Sequence, residues 1–110
     1  YAQERGVSMA MHMAGSPVAA LASVHCAAAT ENFMGLENHS ADIIAWSSLV
    51  DGLPNPLIQD GYITVPETPG LGFTDFNIDA CNEFLHPDDP SIFEPTDHWL
   101  REKSHDRLWS

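Results

Sequence analysis

Basic residues are scarce in this chain. Lysine and arginine together number 4 against 16 aspartates and glutamates, a formal net charge of −12 over 110 residues. A surface of that sign repels phosphate backbones and anionic headgroups, which argues against nucleic acid or a membrane surface as partner. Long hydrophobic runs are missing as well. No stretch approaches the roughly 18 apolar residues of a membrane span, and no basic-then-apolar segment opens the chain. The two cysteines, Cys26 and Cys81, are too few for a disulfide framework, so reduced structural thiols in a cytoplasmic protein are expected. Several catalytic signatures are absent too. The histidines show no HExxH spacing and the cysteines no CxxC. There is no GxSxG elbow, P-loop or GxGxxG. His86, Asp88 and Asp89 cluster between prolines and read as a solvated loop, so no metal site is expected from this chain's own residues.

What is present is an ordinary hydrophobic share of 44%, enough for a globular piece of at most one domain. The organising stretch is Val7 to Glu37, VSMAMHMAGSPVAALASVHCAAATENFMGLE. Val7 to Met11 is a short apolar run followed directly by His12. Ala14 and Gly15 make a small-residue turn, Ser16 is a good N-cap and Pro17 suits the first helical position. Val18 to Ala28 is alanine-rich and unbroken, which predicts about three helical turns. Phe33 to Leu36 form a second apolar run that ends at Glu37. A strand, a helix and a strand within about thirty residues make a βαβ unit, whose strands are parallel. Continuously apolar strands imply cover on both faces. His12 and Glu37 then share the carboxyl-terminal edge of the sheet, where α/β folds do their chemistry.

On either side of that unit, Tyr1 to Arg5 reads as a helix tail with Gly6 as its C-cap. Ile43 to Val50 is expected to form one or two helical turns, and Asp51 to Asp60 to be irregular. Gly61 to Val65 reads as an edge strand or half a hairpin, Pro66 to Gly72 as a rigid turn, and Phe76 to Leu85 as a helix with Asn77 as possible N-cap. From His86 on, the chain reads as an extended tail, helical around Trp99 to Lys103. A two-stranded parallel sheet with two apolar faces is unsatisfied on its own, so the chain is expected to be the C-terminal piece of a larger protein.

The pattern HMAGSPVAALASVHCAAAT…LE, followed by DGYITVPETPGLGF, resembles the C-terminal part of the mandelate racemase/muconate lactonizing enzyme branch of the enolase superfamily. The PGLG turn after the DGYI-V segment is the most specific piece, and the 25-residue spacing of His12 and Glu37 is similar to that of its acid-sugar dehydratases. The resemblance implies an α/β fold, the C-terminal part of a (β/α)8 TIM-type barrel. Residues 1–50 would be the end of the barrel domain, with seventh strand, helix and eighth strand. Residues 51–110 would be a segment packing on the barrel and on a capping domain. Trp46, Trp99 and Trp109 would pack that return.

The same resemblance makes His12 a general acid/base, oriented by an aspartate of the sixth strand, and Glu37 a residue that hydrogen-bonds a substrate carboxylate. Met13 and Ser16 are further substrate-binding candidates, although a helix cap is the plainer role for Ser16. His39 could line the site, with a surface loop the plainer reading, and His25 is expected to be packed or on the surface. Mg2+ is the implied cofactor, its ligands lying outside this chain, together with the family's lysine base. The implied partners are the rest of the barrel and cap, a sugar acid as substrate, and further copies in a homo-oligomer. The activity implied is a hydro-lyase that removes a proton α to a carboxylate and eliminates water, inactive as the isolated chain. A racemase or epimerase of the same branch is the alternative, and a non-catalytic acidic interaction module or an inactive fragment the rival from another class. Contact between Glu37 and a substrate carboxylate requires a proton on one of them, hence a raised pKa for Glu37 in the assembled site.

Overall fold

A computed structural model describes residues 1–94. Two compact units divide the chain, Tyr1–Asn77 and Ile78–Ser110. In the first unit a 3-10 turn over Gln3–Arg5 ends at Gly6, which takes the left-handed conformation (φ 67°) and donates its N–H to the Gln3 carbonyl. Strand β1 (Met9–Met11), helix α1 (Pro17–Ala28) and strand β2 (Phe33–Leu36) follow. β1 and β2 are parallel, with Met11 opposite Leu36, so the βαβ unit forms as the sequence predicts; β2 and the carboxyl end of β1 fall at the expected residues, while β1 begins at Met9 rather than Val7.

α1 starts where its sequence dictates. Ser16 is extended (φ −69°, ψ 166°), its side chain accepts from the Ala19 N–H, and Pro17 opens the helix. A cap of this kind satisfies one of the orphan N–H groups of the first turn. At the other end Thr30 Oγ1 donates to the Cys26 carbonyl at 2.7 Å. The inward stripe is Pro17, Ala20, Leu21, Val24 and Ala27, spaced at three and four residues as one helix face requires. Leu21 and Ala20 are fully buried and join Met13, Trp46 and Leu57 in the core. Neither Cys26 nor Cys81 is in a disulfide.

Residues 51–77 fold back onto that core. A 3-10 turn, Trp46–Leu49, leads into β3 (Val50–Asp51), which pairs antiparallel with β4 (Asp75–Phe76). Leu53, Ile58, Ile63, Leu71 and Phe73 pack against the central cluster, so this segment belongs to the same compact unit as α1. The expected strand over Gly61–Val65 is reduced to an isolated bridge between Gln59 and Tyr62. Asp60 (φ 51°) and Gly61 (φ 82°) supply the two positive dihedrals of a type I′ turn, and Asp-Gly is the pair such a turn selects. Pro66 then ends any ladder, because it has no N–H to donate. The rigid PETPGLG turn is present. At Gly72 (φ 100°) a Cβ would come within 2.2 Å of the Pro66 Cβ, so only glycine fits.

The strand pair is less covered than its apolar sequence predicts: Phe33 is 40% and Met34 69% exposed. A groove of about 670 Å3 runs beside them, lined among others by Val24, Ala27, Leu36, Ile58 and Tyr62. The second unit contributes α2 (Ile78–Glu83), shorter than the helix expected over Phe76–Leu85 because Phe76 is taken by the pairing with Val50. The His86 loop is exposed, with the Asp88 N–H donating to His86 Nδ1 at 3.3 Å. Trp99, Trp109 and the helix expected around Trp99 to Lys103 lie outside the described residues. Among the described residues no helix is long and apolar enough to cross a membrane.

Candidate active site

The β1–β2 ladder runs on past the last strand residues. The Glu37 N–H donates to the Met11 carbonyl at 2.8 Å and the His39 N–H to the Met13 carbonyl at 3.2 Å. One step beyond the Met11–Leu36 pair therefore lie His12 and Glu37, side by side at the carboxyl end of two parallel strands. Residues at matched register on neighbouring strands point to the same face, and so do residues two apart on one strand. The first relation brings Glu37 to His12, and the second brings His39 to both.

The contacts follow from that register. His12 Nδ1 lies 2.5 Å from Glu37 Oε2, and His39 Nε2 lies 2.9 Å from Glu37 Oε1. The two imidazole rings are 5.4 Å apart at 60°. Hydrogen bonds from the two histidines, that from His12 the stronger influence, hold the Glu37 carboxyl below its ordinary 4.5. An ionised carboxylate only accepts, so both histidine nitrogens donate. His12 Nε2 is left as the ring atom free for proton exchange. All three side chains are more than half exposed.

The loop below the site is anchored from within. Trp46 Nε1 donates to the Gly15 carbonyl at 2.7 Å, and Ser40 Oγ donates to the same carbonyl at 3.0 Å. Those bonds tie the segment after β2 to the turn after β1. Asn38 Oδ1 accepts from the Ser40 N–H at 2.8 Å, closing the turn that carries His39.

His12 and Glu37 are thus brought together, as their spacing implies. His39 stands with them rather than on an uninvolved surface loop. Its signal in the sequence is its offset of two from Glu37, at the start of the turn that follows β2. Met13 is corrected. It is 3% exposed and packs in the core, so its side chain offers no surface to a substrate. Consecutive residues on a strand face opposite ways, and with His12 outward, Met13 must turn in. Ser16 is exposed but its hydroxyl serves the Ala19 N–H. His25 is half-buried on α1, with Nε2 3.4 Å from the Leu71 carbonyl. In this chain the neighbours of Glu37 are two donors, which lower its pKa; the raised value is an expectation for the assembled site with a substrate carboxylate bound.

The cluster does not suit Mg2+. That ion calls for a nearly all-oxygen octahedral shell, whereas two of the three residues here offer nitrogen and both Glu37 oxygens already accept from histidines.

The chain is similar to known proteins in sequence and in fold. The family model described as enolase C-terminal domain-like matches residues 1–75. A D-xylonate dehydratase of Haloferax volcanii is 42% identical over 79 residues, covering 72% of this chain and 18% of the dehydratase. A crystal structure of a mandelate racemase/muconate lactonizing enzyme-like protein from Rubrobacter xylanophilus superimposes with a TM-score of 0.72 at 35% identity, covering 82% of this chain and 23% of that one. The chain thus spans about a fifth of the length of each of these relatives.

Proposed function

The chain belongs to the enolase superfamily, in its mandelate racemase/muconate lactonizing enzyme branch, and on that premise we propose that it is the C-terminal part of an acid-sugar dehydratase. Residues 1–50 are read as the closing seventh strand, helix and eighth strand of a (β/α)8 barrel, and residues 51–110 as the segment returning to the capping domain. The missing cover over Phe33 and Met34 is then supplied by the remainder of the protein. The Mg2+ expected of this chemistry would take its ligands from strands outside these residues.

The observation that carries the reading is the 2.5 Å contact between His12 and Glu37 at the carboxyl edge of two parallel strands. In this reading a base removes the proton α to the substrate carboxylate, giving an enediolate. The β C–O bond then breaks, and the departing hydroxide takes a proton and leaves as water. Ketonisation yields a 2-keto-3-deoxy acid. His12 is the acid/base: with Nδ1–H fixed on Glu37, its Nε2 is turned outward, and an imidazole exchanges protons near neutral pH. Glu37 holds that tautomer. Its contact with a substrate carboxylate additionally requires a proton to be taken up on binding.

The test is to incubate the full-length protein with a panel of sugar acids in deuterated buffer. A 2-keto-3-deoxy product from at least one of them is the expected result. Deuterium uptake at the α carbon without loss of water identifies a racemase or epimerase instead. Neither product from any acid would remove both and leave the interaction module.

A further inference from the structure

We propose that Ser40 and Trp46 are positioning residues for the pair at the sheet edge: their hydrogen bonds to the Gly15 carbonyl hold Glu37 against Nδ1 of His12. The inference rests on the proposed reaction for its kinetic consequence and on the hydrogen bonds alone for its structural one. β1 and β2 keep one register, with Ala10 opposite Gly35 and Met11 opposite Leu36. His12 with Glu37 and Gly15 with Ser40 continue it, each pair 25 residues apart. Among the described residues the last backbone bond of this ladder joins the His39 N–H to the Met13 carbonyl. Beyond it Ser40 Oγ supplies a side-chain rung, 3.0 Å from the Gly15 carbonyl oxygen. Two successive turns follow, from the Ile43 N–H to the Ser40 carbonyl and from the Trp46 N–H to the Ile43 carbonyl. They bring the Trp46 indole back to the same oxygen, at 2.7 Å. Both lone pairs of one carbonyl are thereby used.

Secondary structure frays at its ends, and the reacting pair sits close to this one. Ser40 is 7% and Trp46 4% exposed, both within this chain's own core, so the clamp is independent of what covers the sheet edge. Burying a hydroxyl is unfavourable unless it is hydrogen-bonded, and the bond Ser40 makes is the one that joins the two strand ends. A shift of one strand end past the other by about 1 Å takes the His12–Glu37 contact out of hydrogen-bond range. Nδ1 then loses its acceptor, and the neutral ring is free to carry its proton on Nε2, the atom that has to accept one. The two donors share one oxygen, so removing either leaves Gly15 bonded through the other.

The experiment uses the full-length protein with Ser40→Ala and Trp46→Phe, each of which deletes one donor and keeps the other. Ser40→Ala should lower kcat on the sugar acid by up to about 10²-fold, the scale of a misplacement of about 1 Å. KM should stay within a few-fold and the melting temperature nearly unchanged. With isotope-labelled histidine at a pH where imidazole is neutral, nuclear magnetic resonance should show wild-type His12 protonated at Nδ1, its signal assigned by its loss in His12→Asn. In Ser40→Ala the same ring should be a mixture of tautomers, and Trp46→Phe should move the balance in the same direction. Retention of the wild-type tautomer in both variants overturns the proposal, as does a kcat of Ser40→Ala within a few-fold of wild type. If the wild type converts no sugar acid, the dehydratase reading fails, and the tautomer balance alone then decides the clamp.

Discussion

The two ends of the β1–β2 pair are built on the same ladder and used differently. At the amino-terminal end the polar groups close the chain on itself: the Met9 N–H donates to the Asn32 carbonyl at 2.9 Å, and Asn32 Nδ2 to the Val7 carbonyl. At the carboxyl-terminal end the backbone pairing continues, but among the described residues the side chains of His12, Glu37 and His39 bond to one another and are exposed. Backbone bonds fix position at both ends. Only at the carboxyl end do titratable groups share a face, and that end is where βα units place their chemistry.

The sharpest way to break this contrast is His12→Asn. In the full-length protein it should lower kcat about 10²–10⁴-fold, the usual worth of a positioned acid/base, while the exposed side chain leaves the melting temperature nearly unchanged. Activity within a few-fold of wild type would end the functional half of the comparison. Leu21→Ala removes a fully buried side chain from the helix that supports both ends, and should cost about 2–5 kcal/mol in a denaturant titration. A loss well under that would mean α1 is not the common support.

Asn32→Ala deletes a hydrogen bond at the amino-terminal end only. It should lower stability by about 0.5–1.5 kcal/mol and leave kcat untouched, the mirror of His12→Asn. The smallest effect concerns pH. Because the histidines hold the Glu37 carboxyl below its ordinary 4.5, the unfolded chain binds the proton first as pH falls. The stabilisation from this group is therefore present above that value and lost as pH falls through the lower folded value. Solvent screening keeps the effect slight at so exposed a position. Melting curves of wild type and Glu37→Gln should converge below about pH 4.5, and parallel curves throughout would contradict the assignment.

Much of the frame was legible in the sequence because local rules specify it. Ser16 and Pro17 start the helix, Thr30 closes its last turn, and two short apolar runs flank it at a spacing that permits only a parallel pair. The Asp60-Gly61 turn was missed, with Asp60 ending an irregular stretch and Gly61 opening an expected strand, although Asp-Gly is a pair that carries two positive dihedrals readily. The segment after it was harder. Gly61–Val65 has the alternation of a strand, but a ladder also needs a partner, which is a tertiary matter.

The sequence by itself therefore determined the order of β1, α1 and β2 and the carboxyl ends of both strands, and the presence of a histidine and a glutamate at the same sheet edge. Tertiary structure decided what those elements face. PVAALASVHCAA is apolar nearly all round, so no periodicity tells which stripe turns inward; contact with Trp46 and Leu57 in the core made that choice. The path of the chain past Leu36 depends on hydrogen bonds to Met11 and Met13, twenty-odd residues away. On those bonds rests the position of His39 beside Glu37. The cause is the same in both cases: local propensity sets a residue's backbone conformation, whereas its neighbours are set by which distant segment the backbone pairs with.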